Sequence, residues 1–289
     1  MQAAGGRVIA GEAVAVQAAR PEGRGRVGTY APAAARVVAA SLVFLGLLHV
    51  LFGESLTRML PVWSDGGPPG RPVWTPVMGA LLAGAAGLSL ARPDSRRATL
   101  LLAAVLLLPV LFVQLPRAVM SGRVDHEWLN VFKWLAMASG PLVLAAARPR
   151  DGSRWRDRIV DTGAASAPWL VGLFMFHSAV QHVQHAEFVA QLMQPWMPWR
   201  HFWVFFAAAA LASGGVGLVV PRTARLAALL ASLMIFSWFW LVHLPRMLIA
   251  PTGPVGWSEM GESLAFAALA FLLAARREHR DPGVPGPRR

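Results

Sequence analysis

The apolar residues of this chain are gathered into eight runs, each near twenty long, at roughly 34–52, 73–91, 97–116, 129–147, 168–186, 200–220, 223–244 and 258–275. A helix needs about that length to cross a hydrocarbon core of about 30 Å at about 1.5 Å per residue. In lipid the backbone must satisfy its own polar groups, so runs of this kind have little choice but helix. They predict an all-α integral membrane protein with eight transmembrane helices. Composition agrees, since only 15% of residues are charged against about 25% in soluble domains.

Prolines suit this division. Pro72, Pro76 and Pro198 fall at predicted helix starts, and Pro116 and Pro245 at exits, where the missing N–H costs least. Pro109 and Pro141 lie inside spans and are expected to kink them. The polar, arginine-bearing segment 1–32 is expected to be a disordered tail without a cleavable signal peptide.

The net charge of +12 does not point to nucleic acid, because the cations sit in the gaps between apolar runs rather than in a stripe on a soluble fold. Alternate gaps, counted from the N-terminus, hold 20 arginines; the others hold six, and Lys133 lies within a span. The positive-inside bias then places both termini in the cytoplasm. Trp63, Trp74, Trp128, Trp196, Trp199 and Trp257 fall near the opposite, outer ends, as an interfacial belt does. There is no cysteine, which excludes disulfides, thiolate metal sites and thiol redox chemistry within the chain.

The chain also repeats itself. Leu115-Pro116-Arg117 returns as Leu244-Pro245-Arg246, 129 residues later. Upstream of each lies an apolar segment with an embedded histidine, His49 and then His177. Downstream come Glu127-Trp128 and Trp257-Ser258-Glu259, then runs ending Ala146-Ala147-Arg148 and Ala274-Ala275-Arg276. A period near 128 reads as a duplicated domain. Each copy holds an even number of spans, so the halves enter from the same side and run parallel. The expected division is a tail at 1–32, a four-helix repeat at 33–148, a cytoplasmic linker at 149–166, a second repeat at 167–276 and a tail at 277–289.

The glycine-bearing first helix Phe44-Leu45-Gly46-Leu47-Leu48-His49, with the Trp/Glu loop entering a small-residue-rich fourth helix, resembles the DoxX-like family of small bacterial and archaeal membrane proteins. The likeness covers about 34–147 and 168–275. It implies a tandem version of a four-helix unit, placed in the bacterial cytoplasmic (inner) membrane. The family name derives from a quinone-linked oxidoreductase subunit, which makes a respiratory or quinone-linked role, with quinone as a ligand, an expectation. Partners implied are the lipid bilayer and a redox protein or further copies of the chain. Relatives in the wider group that use cysteine pairs offer no guide to a chain without cysteine.

Candidate chemistry gathers in the outer halves of the spans. On the fifth span Gln184, His177, Gln181 and His185 fall at about −20°, 0°, 40° and 80° around a helix, with His182 further round at about 140°. Facing lipid, such a stripe would be costly, so it is expected to face the bundle or a wet cavity. Imidazole can hydrogen-bond a quinone carbonyl, relay protons, or ligate haem or a metal; the bland alternative is helix association. No metal site is expected, because no repeated carboxylate–histidine pattern accompanies the i, i+3 pair His182 and His185.

Arg117 and Arg246 either snorkel and cap carbonyls freed by their prolines or hold an anionic headgroup or substrate. Two residues before the prolines stand Gln114 and His243, the more ionisable choice in the second copy. Lys133 and Glu262 lie at similar depth in the fourth and eighth spans; an ion pair between the halves is one expectation, and outward snorkelling of the lysine the other. No Walker loop, dinucleotide fingerprint, nucleophile elbow or zincin motif is found. The expected site is thus an outer-facing His/Arg pocket of His49, His177, Gln181, His185, His243, Arg117 and Arg246, centred on the second half. Catalysis is left open, and the alternatives are a small-solute transporter and a non-catalytic membrane scaffold.

Overall fold

The computed structural model describes residues 29–53, 71–122, 126–150, 152–249 and 253–280. These form helices α1 (Ala31–Phe52), α2 (Arg71–Ala91), α3 (Arg96–Pro109), α4 (Leu115–Ser121), α5 (His126–Ala146), α6 (Arg154–Gln184), α7 (Ala186–Leu192), α8 (Arg200–Val219), α9 (Ala224–Trp238), α10 (Leu244–Ile249) and α11 (Pro254–Arg280). Two π-helical turns, Val110–Gln114 and Phe239–His243, join α3 to α4 and α9 to α10. Counting each joined pair as one, eight helices among the described residues are long and apolar enough to cross a membrane. Most of the tails expected at 1–32 and 277–289 lies outside the described residues, as does Trp63.

Proline chemistry explains where the helices depart from expectation. Helix α3 does not stop at Pro116 but runs on through a π turn to Ser121, ending at Gly122 with φ of 63°. A proline continuing a helix gives no N–H, and its ring crowds the carbonyl four residues back. Widening the preceding turn relieves that crowding, so Leu115 N–H donates to Val110 and Leu244 N–H to Phe239, five residues back in each case. Helix α6 begins at Arg154 rather than near 168, so most of the stretch expected as a linker at 149–166 is helical. Pro168 sits inside it and deprives the Ala164 carbonyl of its helical donor. The Arg276 guanidinium supplies a replacement.

The helices pack as a closed sequence: α1 on α2, α2 on α3, α3 on α5, α5 on α6, α6 on α8, α8 on α9, α9 on α11, and α11 back on α1. Helices α5 and α11 also touch each other. Of their spanning windows 61% and 72% are buried, against 50% or less for the others, so these two form the middle of the bundle. Each therefore packs against the first helix of the other half of the sequence. The outer surface is apolar, with Phe112, Leu226 and Leu233 exposed.

Between helices this apolar, small residues that let the backbones approach closely supply tight packing. Glycine provides it at two crossings. A Cβ on Gly46 of α1 would lie 2.5 Å from the Ala83 amide nitrogen of α2, and one on Gly79 only 2.6 Å from the His49 Cβ. Between α6 and α8, a Cβ on Gly172 would lie 2.7 Å from the Gly215 carbonyl oxygen, and one on Gly215 2.6 Å from that of Gly172.

Candidate functional site

Among the described residues, three ion pairs of arginine or lysine with glutamate lie in the half of the bundle where α1 ends and α11 begins. Arg117, just past the first π turn, donates through Nε to Glu127 Oε1 at 2.8 Å. Glu127 stands in the first turn of α5, where the helix dipole also favours a carboxylate. Arg246, just past the second π turn, donates through Nη1 to Glu259 Oε2 of α11 at 2.9 Å. Each pair thus ties the exit of one span to the entry of the next.

Between these lies the third pair. Lys133 Nζ of α5 donates to Glu262 Oε1 of α11 at 3.0 Å, with side-chain exposures of 6% and 12%. The ammonium also lies 5.6 Å from the centre of the Trp134 ring, within reach of a cation–π attraction. Lys133 therefore points inward to a carboxylate rather than outward. The three pairs balance: Arg117, Lys133 and Arg246 against Glu127, Glu259 and Glu262.

The histidines part company. His177 is buried, its ring edge-on to Phe132 at 5.5 Å, one residue from Lys133. His49 is fully buried and directs Nδ1 to its own Leu45 carbonyl at 2.7 Å. His243 is half-buried as the last residue of the second π turn, the position Gln114 holds, buried, in the first. The polar stripe of α6 does not face inward as a unit. Gln181 is half-buried and donates to Gln184 at 3.3 Å, while Gln184 and His185 are exposed. The physical reason is that the helix ends at Gln184; His185 adopts φ −117° and ψ 36°, so the helical progression that would have carried it onto the stripe has stopped.

The two glycine crossings give a register different from the one that pairs His49 with His177. Val50 N lies 2.9 Å from the Cβ position of Gly79, and Phe176 N 3.2 Å from that of Gly215. Superposing these contacts sets His49 opposite Met175, which is likewise buried, and His177 opposite Leu51.

Glu127 and Glu259 carry the site as much as the arginines do, yet they stood in the sequence only as loop markers. Gln194 is a second omission. It is buried in the turn after α7 and donates through Nε2 to the Val242 carbonyl of the second π turn at 3.3 Å. Met193, Met197 and Val242 belong to one small apolar cluster with Ala190 and Val204. Among the described residues no three His, Asp or Glu side chains come together as metal ligands would. No family model matches the chain, and neither curated proteins nor solved structures include a significant match.

Proposed function

We propose that this chain is a DoxX-like multi-pass protein of the bacterial cytoplasmic membrane, with both termini in the cytoplasm. We propose further that it is the membrane component of a respiratory or quinone-linked redox system. Three correspondences support two parallel four-helix repeats: the π turns before each Leu-Pro-Arg, the Arg–Glu pair after each, and the two glycine crossings.

Charge balance among these three pairs, Lys133–Glu262 buried and the other two part-buried, is the observation that carries the functional reading. Ionisable groups inside a membrane are costly and are by default suspected of function. With each arginine facing a carboxylate, these three pairs hold no excess charge of their own for an anion. A neutral ligand bearing carbonyls, such as a quinone head, suits it better, with His177 and His243 as hydrogen-bond donors or proton carriers. A redox protein at the outer face, or a second copy of the chain, would be the partner.

Protein purified in mild detergent is expected to carry extractable quinone, lost several-fold on His177→Leu with the fold intact by circular dichroism. A preparation free of quinone and of any visible chromophore overturns the redox reading. One observation favours a second reading, a non-catalytic scaffold: the six charges form three ion pairs, as a structural clamp requires. On that reading His177→Leu changes stability alone.

A further inference from the structure

At the opposite end of the bundle, where α1 begins and α11 ends, lies a cavity of about 1040 Å³. Along α5 it is reached at Val143, ten residues or about 15 Å from Lys133, so it is separate from the paired layer. Among the described residues its charged lining is Arg36, Arg148, Arg150 and Arg276 with Asp94 and Asp161, an excess of two positive charges. Its walls are apolar, with Ala39, Leu144 and Leu272 among them. We propose that this cavity binds one anionic phospholipid, with its phosphate at Arg36, Arg148 and Arg276 and an acyl chain along the apolar wall.

The arginines are built into place. Arg148 donates to Thr99 Oγ1 and to the carbonyl oxygens of Pro93 and Ser95, which holds it across the α2–α3 turn. Burial lowers its pKa, against the opposing pull of Asp94; a bound anion offsets that desolvation. Arg276 is held by the Ala164 carbonyl that Pro168 exposes. Arg150 is neutralised by Asp161 at 2.9 Å, and Arg36 is exposed on the first turns of α1.

Cationic rim and apolar wall together call for an amphiphile, not a free ion. The chain's own outlying segments do not fit. Residues 1–28 carry four arginines against two glutamates, and 281–289 two arginines against one aspartate, so the cavity repels both. Basic pockets between helices at the cytoplasmic side are where anionic headgroups bind.

The inference rests on the membrane placement proposed above, and fractionation separates the two. A membrane-bound chain without lipid preference overturns the site alone; a chain found in the soluble fraction overturns both. The test titrates the full purified chain with phosphatidylglycerol, phosphatidylcholine and inorganic phosphate, reading bound lipid by native mass spectrometry. One phosphatidylglycerol per chain is expected, bound at least about tenfold tighter than phosphatidylcholine. Arg36→Gln should weaken it about fivefold, as loss of one juxtamembrane cation does, and Arg222→Gln, at the same end but outside the cavity, should leave it unchanged.

Equal binding of phosphatidylcholine overturns the proposal, as does equal weakening by Arg222→Gln. Displacement of the lipid by millimolar phosphate reassigns the site to a free anion and overturns it too. Arg276→Gln adds a second variant; if its loss of the Ala164 contact prevents folding, the charge reversal Arg36→Glu decides, with binding abolished as the expected result.

Discussion

Lys133 and Glu262 form a buried ion pair whose worth depends on how it is broken. Removing one partner strands the other in a dry interior, at a cost of about 3–5 kcal/mol, whereas replacing both with apolar side chains of similar volume is often neutral or better. Lys133→Met is therefore expected to lower stability by about that amount. The double variant Lys133→Met/Glu262→Leu should regain most of the loss. Denaturation in detergent measures the cycle, and equal stability of single variant and parent sinks the pair as a structural element. Depth along the spans made this pair foreseeable. The Arg–Glu pairs were not, because they reach across loops of different length, ten residues in one half and 13 in the other. The pairing of His49 with His177 departs from the glycine crossings for a related reason. Their spacing of 128 exceeds the helix register of 126 set by the glycine crossings, and two residues turn a side chain by about 200°.

Helices succeed one another here by glycine contact and proline accommodation, which composition alone reveals only in part. The apolar runs located every span, but proline was read as a stop where the π turns let α3 and α9 continue. The early start of α6 was hidden by its charges: Arg154, Asp157, Arg158 and Asp161 resemble a linker, yet Asp157 pairs with Arg96 at 2.5 Å and so anchors a helical turn against α3. Gly46 and Gly172 test the crossings directly. Their Cβ positions fall on backbone atoms of the facing helix, so even alanine forces the pair apart. Gly46→Ala and Gly172→Ala should each cost about 1–3 kcal/mol, while Gly84→Ala, whose Cβ meets nothing within 4 Å, should cost nothing or stabilise slightly. Thermal unfolding of the three variants ranks them, and a Gly84 variant as damaged as the others would refute close approach as the cause.

The molecule as a whole offers a clean topology test because it has no cysteine. Single cysteines at exposed Gln191 and Arg222 report opposite ends of the bundle. In intact cells a membrane-impermeant maleimide should label Gln191→Cys and spare Arg222→Cys until lysis; the reverse pattern overturns the orientation. The packing of α11 against α1 and α5 has a consequence for how the chain is made. Glu262 follows Lys133 by 129 residues, which at about 5–20 residues per second is roughly 6–26 s of synthesis. Until α11 is made, Lys133 lacks the carboxylate of Glu262 and α1 lacks the helix that covers one of its flanks. Closure of the bundle therefore waits on its last helix, which brings Glu262 to Lys133 and covers α1 in one step.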